Sequence, residues 1–186
     1  RRQRQMCIRD RRNTRRIMNE KRRLLGMTLD ELKGVAFEAG LPGYAAKQMA
    51  DWLYKKKVTS IAAMTNIASA KRALLEKNFE VGAVPPSDLM KSVDGTIKYL
   101  YPAGPGNFVE SVYIPTEDRA TLCVSSQVGC KMNCLFCMTG KQGFTKNLSA
   151  NEILNQIQSL PETEELTNIV FMGMGEPLDN VDELFK

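Results

Sequence analysis

The sequence predicts an α/β protein, in which a small N-terminal helical domain is followed by strands and by the start of a parallel β-α-β arrangement. Two observations predict this class. Apolar residues recur every three or four positions from about Leu24 to Lys77, and the period changes to two beyond Pro85 and Pro86. Residues 120–171 then have the pattern strand, loop, helix and strand. One such unit cannot cover both faces of a parallel sheet, so we expect the chain to be a fragment truncated at its C-terminus.

Composition excludes several classes of protein. Of the 186 residues, 43% are apolar and 25% are charged, as in globular domains. No apolar run approaches the roughly 18 residues of a membrane helix and no secretory signal opens the chain, so we expect a cytoplasmic protein with no membrane contact. Histidine is absent, which excludes Ser-His triads and mixed Cys/His zinc sites. Catalysis must therefore use Cys, carboxylates, Lys, Tyr or a cofactor.

The first 23 residues form a basic tail. They hold eleven Lys or Arg against two acidic residues, a net charge of +9, whereas the rest of the chain holds 15 basic and 19 acidic residues, a net charge of −4. A native basic arm and an artefact both stay open, because Gln5–Arg11 looks like translated sequencing adapter. Cys7 lies in this tail and is given no role. The basic tail is therefore no sign of a nucleic-acid surface on the folded part.

Residues 24–84 are expected to form a helical accessory domain. Its first helix begins at a capping box of Thr28 and Glu31 and ends at Gly40. A second helix follows, and a third is expected from Thr65 to Lys77. The second helix is rich in lysine, which indicates either a solvated face or a surface that contacts phosphates. These residues are Lys47, Lys55, Lys56 and Lys57.

Residues 85–119 are expected to form a strand extension of this domain. Segments 89–93 and 96–101 alternate in polarity and are joined by Asp94 and Gly95, which is typical of a β-hairpin. Phe108–Ile114 follows as a third strand.

Residues 120–186 are expected to begin a second domain. Strand Ala120–Ser125 runs into a cluster of cysteines, a capping box at Ser149–Glu152 opens a helix, and strand Thr167–Phe171 leads into the loop Gly173–Pro177. That loop is either an ordinary turn or a ligand loop, since ligands bind beyond the carboxyl ends of parallel strands.

The cysteine cluster is the strongest chemical signal. Cys130, Cys134 and Cys137 offer three thiolates with the spacing Cys-x3-Cys-x2-Cys. A structural zinc site normally takes four ligands, and the nearest additional candidate is Cys123. A cubane iron–sulfur cluster can accept three cysteines and leave one iron open for the amino and carboxylate groups of S-adenosylmethionine (SAM). Zinc binding and unligated cysteines stay open as alternatives.

Seven segments of the chain form a chained match to one family. Together with the helical region around Leu41, they resemble the RlmN/Cfr family of radical SAM adenine methyltransferases over residues 24–186. The resemblance implies that residues 24–84 are an RNA-binding-type accessory domain and that residues 120–186 are the first part of a radical SAM partial (β/α) barrel. The matching segments are Val109–Pro115, Arg119–Cys123, Ser125–Cys130, Cys134–Gly140, Gly143–Leu148, Glu152–Ile153 and Met172–Pro177.

The resemblance also implies an activity. Members methylate carbon 2 of an adenine in 23S rRNA and adenine 37 of some tRNAs, and the Cfr branch methylates carbon 8. Carbon 2 is electron-poor and cannot attack a sulfonium methyl group, so the family uses two molecules of SAM. One methylates a cysteine, and the other yields a radical that activates this methyl group for addition to the ring. A base then removes the ring proton, and a second cysteine resolves the adduct by forming a disulfide bond.

Roles follow residue by residue from the resemblance. Cys130, Cys134 and Cys137 match the ligands of a [4Fe–4S] cluster, and Gly175, Glu176 and Phe136 match residues that contact SAM. Cys123 matches the resolving cysteine and Glu110 the base. Without the resemblance, Cys123 would be read as a buried strand residue and Glu110 as the solvent face of a strand. Phe136 would be read as a core residue, and Gly175 and Glu176 as part of a turn. The implied partners are 23S rRNA, tRNA and an electron donor such as flavodoxin or ferredoxin, and the protein is expected to be a monomer.

One role has no match. The methyl-carrying cysteine lies in the family's C-terminal part, and no cysteine follows Cys137 here. The fragment is therefore expected to be incomplete for the full reaction. A carbon-8 methyltransferase stays open as an alternative, as does a non-catalytic, zinc-stabilised RNA-binding module.

Overall fold

The computed structural model describes residues 21–186, so most of the basic tail, including Cys7, lies outside the described residues. Strand β1 (Arg22–Arg23) pairs in parallel with β2 (Phe79–Glu80). Folded structure therefore begins slightly before Leu24, the start expected from the charge pattern. The reason is that Arg22 stacks on the ring of Phe79 and pairs with Glu38, which gives the last basic residues of the tail specific partners.

The accessory domain is helical, as its periodicity predicts. Helix α1 (Leu29–Glu38) begins at the predicted capping box, with the side chain of Thr28 and that of Glu31 each accepting from the other's backbone amide. Helix α2 (Ala45–Ala50) continues as a π-helical turn (Asp51–Lys55), and a 3-10 turn (Ile61–Ala63) follows.

Helix α3 (Ser69–Asn78) begins four residues later than the expected Thr65. The intervening residues form turns that bury Ile67 against the domain core. That core consists of apolar side chains from all three helices and from β2, among them Leu32, Val35, Met49, Leu53, Met64, Leu75 and Phe79.

Four strands follow the accessory domain in chain order: β3 (Asp88–Lys91), β4 (Ile97–Pro102), β5 (Phe108–Pro115) and β6 (Ala120–Cys123). Each pairs antiparallel with the next. The hairpin predicted at Asp94 and Gly95 is confirmed, and Gly95 has the positive φ that such a turn requires.

The segment that follows β6 contains a hairpin that the sequence patterns do not predict. Strand β7 (Gln127–Gly129) pairs antiparallel with β8 (Phe144–Asn147), and the short helix α4 (Met138–Lys141) lies between them. The two strands are three and four residues long, which is too short for an alternation of polarity to be recognised. The cysteine cluster therefore lies in a loop enclosed by a hairpin.

The β-α-β unit is confirmed by helix α5 (Ala150–Gln158) and strand β9 (Asn168–Val170). The second predicted capping box, of Ser149 and Glu152, begins α5. β9 pairs in parallel with β6, which gives a five-stranded sheet in the order β3-β4-β5-β6-β9. Helix α6 (Val181–Leu184) follows.

The two faces of this sheet differ. One face packs against α5 and forms a second core, which includes Tyr99, Val109, Tyr113 and Leu122. The other face carries Lys98, Glu110 and Val112, together with Cys123, which lies opposite Val112. We call this second face the open face. Within residues 21–186, no helix is long and apolar enough to cross a membrane.

Candidate cofactor and catalytic site

The two loops that the sequence singles out lie side by side beyond the parallel strands. The amide of Val124 donates to the carbonyl of Val170 at 2.9 Å, and the amide of Gly173 donates to the carbonyl of Val124 at 3.1 Å. Two residues after Val124, the amide of Ser126 donates to the carbonyl of Met174 at 2.8 Å. These backbone bonds continue the β6–β9 pairing past the strand ends. They bring the glycine loop (residues 173–179) against the segment that leads into the cysteines.

The glycine loop fits this place only because its glycines lack side chains. A Cβ on Gly173 would lie 2.7 Å from the carbonyl oxygen of Val124. Gly175 has φ +99°, and a Cβ there would lie 2.5 Å from that of Gln127. The backbone amide of Glu176 donates to Oε1 of Gln127 at 3.0 Å, and its own carboxylate accepts from the amide of Leu178. Gly175 and Glu176 are thus held at the carboxyl edge of the sheet.

The three clustered cysteines lie on an exposed loop. Cys134 is exposed, whereas Cys130 and Cys137 are half-buried, and all three are free thiols. Two of them receive backbone hydrogen bonds. The amide of Met132 donates to Sγ of Cys130 at 3.4 Å. Backbone hydrogen bonds, chiefly from Gly140, lower the pKa of Cys137 below its ordinary value.

This donor set suits an iron–sulfur cluster in its chemistry. Three thiols lie within eight residues, and amide hydrogens directed at sulfur favour the thiolate form that such clusters require. Their positions do not form a closed site: within residues 21–186, no group of three Cys, Asp or Glu side chains converges as metal ligands would. Cys123 is not grouped with the other three either. The four-cysteine zinc arrangement is therefore not formed in the described part of the chain.

Phe136 projects from the cysteine loop rather than into a core. Its side chain is 92% exposed, and that of the neighbouring Leu135 is 91% exposed. The alternative of core packing for Phe136 is therefore wrong, and its ring remains accessible to a ligand.

Glu110 and Cys123 share the open face of the sheet. Cys123 lies directly opposite Val112, and Glu110 is two residues from Val112 on β5, so all three side chains point to the same side. The carboxylate of Glu110 accepts from Nζ of Lys98 at 3.0 Å. Burial raises the pKa of the Cys123 thiol, and a hydrogen bond from the backbone of Met172 partly offsets this rise. Register thus places two residues from different strands on one accessible surface.

Buried polar side chains beneath the site are the residues that sequence reasoning missed. Ser125 is fully buried, and its hydroxyl donates to the carbonyl of Glu110 at 2.6 Å while accepting from the amide of Met174 at 2.8 Å. The side-chain amide of Gln156 bonds both the amide and the carbonyl of Ser125, each at 2.9 Å. Asn180 donates to the carbonyls of Ser126 and Leu148. The only signal for these roles was the polar run Ser125–Gln127 directly after an apolar strand.

The lysine cluster of the accessory domain is largely occupied by internal partners. Lys55 pairs with Asp51 at 2.9 Å, and Lys57 pairs with Glu164 at 2.6 Å. Lys56 stands over the ring of Trp52, with Nζ 3.5 Å from the centroid. These contacts fit the alternative of a solvated face, in which exposed lysines pair with neighbours on the same surface.

Comparison with known proteins agrees with this geometry. Residues 22–81 match the family described as the ribosomal RNA large subunit methyltransferase N-terminal domain. Residues 124–186 match the radical SAM superfamily. A crystal structure of a radical SAM methyltransferase from Sphaerobacter thermophilus is similar to 88% of the chain, with a TM-score of 0.80 and 36% sequence identity, and the match covers 50% of that protein.

Curated relatives match most of the chain. A probable dual-specificity RNA methyltransferase RlmN from Parabacteroides distasonis is 82% identical over 169 residues, which is 91% of this chain and 49% of the relative. The protein of that name from Bacteroides thetaiotaomicron is 64% identical over the same shares. The dual-specificity RNA methyltransferase RlmN of Geobacter sulfurreducens is 46% identical over 87% of this chain and 45% of its own length. The chain thus spans about half the length of these relatives.

Proposed function

Since this chain belongs to the RlmN family of radical SAM methyltransferases, we propose that the full-length protein methylates carbon 2 of adenine in 23S rRNA and in some tRNAs, at adenine 37. One arrangement carries the proposal, namely the alignment of β5, β6 and β9 in the sheet. The β6–β9 pairing brings the glycine loop against the segment that leads into the cysteines, and the register of β5 and β6 puts Glu110 and Cys123 on one open face. The proposal divides the chain into an accessory domain (24–84), a strand extension (85–119) and the start of the barrel (120–186).

Membership of the radical SAM superfamily gives the protein its two cofactors, a [4Fe–4S] cluster and SAM. When bound, they supply a carbon radical that can activate a position which polar methylation cannot reach. In the proposal, Cys130, Cys134 and Cys137 hold the cluster. Glu176 and the backbone at Gly175 bind the amino acid part of SAM, while the exposed ring of Phe136 contacts its adenine.

Glu110 acts in the proposal as the base that accepts the ring proton. Its side chain is half-exposed on the open face, so an adenine can reach it there. The ammonium of Lys98, 3.0 Å away, keeps the carboxylate in one orientation. The hydroxyl of Ser125 holds the backbone of Glu110 to that of Met174, which links the base to the glycine loop.

Cys123 acts in the proposal as the resolving thiol. Burial raises the pKa of its thiol, whereas backbone hydrogen bonds lower the pKa of Cys137 in the loop. This opposite direction distinguishes Cys123 from a cysteine that the proposal gives to the cluster. The disulfide bond in its proposed role requires a second cysteine beyond this chain, and all four described cysteines are free thiols.

The remaining parts of the proposal concern partners. A flavodoxin or ferredoxin donates the electron, the protein acts as a monomer, and its RNA substrates place it in the cytoplasm. Carbon 2 is favoured over carbon 8 because the curated relatives carry the name RlmN rather than Cfr.

The test uses a chimera in which this chain replaces the matching half of the Parabacteroides distasonis relative. Prepared without oxygen and incubated with SAM, a reductant and unmodified 23S rRNA, the chimera should be brown and should produce 2-methyladenosine in nuclease digests analysed by mass spectrometry. The Cys134→Ala variant should lose iron and activity, because the remaining cysteines cannot replace its thiolate. Appearance of 8-methyladenosine would favour the carbon-8 alternative, and a colourless protein that retains zinc would contradict the proposal.

A second variant separates Cys123 from the cluster ligands. Cys123→Ala in the same chimera should retain its iron, since three ligands remain. It should accumulate protein covalently joined to RNA, because no thiol resolves the adduct. The adduct should survive denaturation and disappear on nuclease treatment, as judged by gel mobility. Loss of iron without any adduct would instead make Cys123 a metal ligand.

A further inference from the structure

Gln127 connects two loops that the proposed function requires to act together. Its side chain is fully buried and uses all of its hydrogen-bonding groups. Oε1 accepts from the amide of Glu176 at 3.0 Å, and Nε2 donates to Asp179 at 2.7 Å and to Asn147 at 2.9 Å. Gln127 therefore ties both ends of the segment Glu176–Asp179 to the hairpin that encloses the cysteines.

Asp179 extends this connection into the cysteine loop. The carboxylate oxygen that accepts from Gln127 also pairs with Nζ of Lys131 at 2.7 Å. Lys131 directly follows Cys130, and its ammonium stands 4.4 Å from the centroid of the Phe144 ring. The backbone carbonyl of Asp179 accepts from Asn147 as well. The ion pair is half-exposed, and such pairs add little to global stability. Any effect of this pair is therefore expected from its position between the glycine loop and the start of the cysteine loop.

The two ends of the cysteine loop are held differently. At its start, the amide of Cys130 donates to the carbonyl of Gly143 at 3.1 Å, and Lys131 is paired with Asp179. Near its end, Cys134 is exposed, and the side chains of Leu135 and Phe136 are more than nine-tenths exposed. The start of the loop is thus anchored to the glycine loop, while the part that carries the other two cysteines has few such contacts.

We propose that Gln127, Asp179 and Lys131 form a latch that fixes Cys130 in register with Glu176, and hence the cluster in register with the site for SAM. The proposal rests on the proposed function, and it makes these three positioning residues, since none of them touches a reacting atom. Cluster assembly needs three thiolates and does not need the latch. SAM must reach the cluster and the glycine loop at once, so its affinity depends on their spacing. Loss of the latch should therefore weaken SAM binding and leave the iron content unchanged.

The experiment compares Lys131→Met, Asp179→Asn and the double variant with the parent chimera. Lys141→Met is the matched control, because Lys141 is an exposed lysine close to the same loop, in the last turn of α4. Iron is measured per protein, and SAM is titrated against the electron paramagnetic resonance spectrum of the reduced cluster. Lys131→Met and Asp179→Asn should each need about tenfold more SAM for half of the spectral change. The double variant should need no more SAM than the more strongly affected single variant, since each single change already removes the contact between Lys131 and Asp179.

Four results would overturn the latch: unchanged SAM affinity in Lys131→Met, an equal loss in Lys141→Met, additive losses in the double variant, or loss of iron together with SAM affinity. Failure of the proposed function looks different, because the parent chimera itself would then form no cluster or show no response to SAM. Lys131→Met replaces a half-exposed side chain, so its folding, checked by thermal unfolding, does not limit the test.

Discussion

Gly173 and Gly175 must be glycine for different reasons. At Gly173 the constraint is space alone, because a Cβ would meet the carbonyl of Val124 and the hydroxyl of Ser125. At Gly175 space and conformation act together, since its φ of +99° is strained for any residue with a side chain. Both constraints come from the segment Ser125–Gln127, which packs beneath the loop. A motif of alternating glycines is thus explained by its neighbours in space.

Replacing Gly175 by alanine should lower the free energy of unfolding by about 1–3 kcal/mol, through overpacking against Gln127 and backbone strain. If Glu176 binds SAM as proposed, SAM affinity should fall as well, because the displaced loop carries Glu176. Gly34→Ala is the control: Gly34 lies inside α1, where a Cβ meets nothing within 4 Å. That change should stabilise the protein by about 0.5–1 kcal/mol. Urea unfolding measures both values, and a neutral Gly175→Ala would show that the loop adapts freely.

Helix boundaries show how far local chemistry determines single elements. α1 and α5 both begin at capping boxes, where a hydroxyl and a carboxylate satisfy amides that have no partner inside the helix. The N-cap residue of α3 is Ala68, whose side chain can make no such bond. The start of α3 is also the boundary that the sequence patterns misplace. A helix without a capping residue is positioned by its packing, here by the burial of Leu75.

Opposite changes of stability are therefore expected at these helix starts. Thr28→Ala and Ser149→Ala should each lower the free energy of unfolding by about 1 kcal/mol, because each removes a capping hydroxyl. Ala68→Ser should raise it by a similar amount, since the extended backbone of Ala68 is suited to a cap. Thermal and urea unfolding of the three variants provide the comparison. A destabilising Ala68→Ser would mean that α3 begins elsewhere in solution.

At the scale of the whole molecule, α5 joins the two cores. The side-chain amide of Asn155 bonds both the amide and the carbonyl of Val84, at 2.7 and 2.8 Å. Asn151 donates to the carbonyl of Gly82 and accepts from Arg23. The segment before Pro85 is therefore bonded along its backbone to the barrel helix and is not a free linker. This joint couples the position of the accessory domain to α5, which also carries Gln156 and so supports Ser125.

Two tyrosines on the face of the sheet that packs against α5 bind the connection between α5 and β9. The hydroxyl of Tyr99 donates to Glu162 at 2.7 Å, and that of Tyr113 donates to Glu165 at 2.7 Å. Both carboxylates belong to the connection between α5 and β9. The hydrogen bond to Glu165 raises the pKa of Tyr113 to about 12 from an ordinary value of 10.0. The connection that leads into β9 is thus attached to the antiparallel part of the sheet.

The contribution of the Tyr113–Glu165 hydrogen bond to the free energy of unfolding should decrease at alkaline pH. A group whose pKa is raised by folding stabilises the folded state below its unfolded pKa, near 10, and loses that contribution as the pH rises towards 12. The stability difference between the parent and Tyr113→Phe should therefore shrink between about pH 10 and about pH 12. Tyr44→Phe, at a ring that is 66% exposed, serves as control. A constant difference in urea unfolding across this range would contradict the assignment.

The sequence by itself determined most of the elements, with the exception of the β7–β8 hairpin and the start of α3. The change of period at Pro85, both capping boxes, the hairpin at Asp94 and the β-α-β order depend on residues close in the chain, so a local pattern is enough to predict them. The spacing of the three cysteines is equally local and indicates thiolate-bound metal without reference to the fold.

The tertiary structure alone decided which of these parts meet. The pairing of Val112 with Cys123 puts Glu110 and the thiol on one face, and a shift of one residue would separate them. The burial of Gln127, and its bonds to Glu176 and Asp179, join residues about 50 positions apart. The internal partners of the lysines are equally invisible in the sequence. Register, burial and ion pairing are set by contacts between distant segments, and a pattern of neighbouring residues carries no record of them.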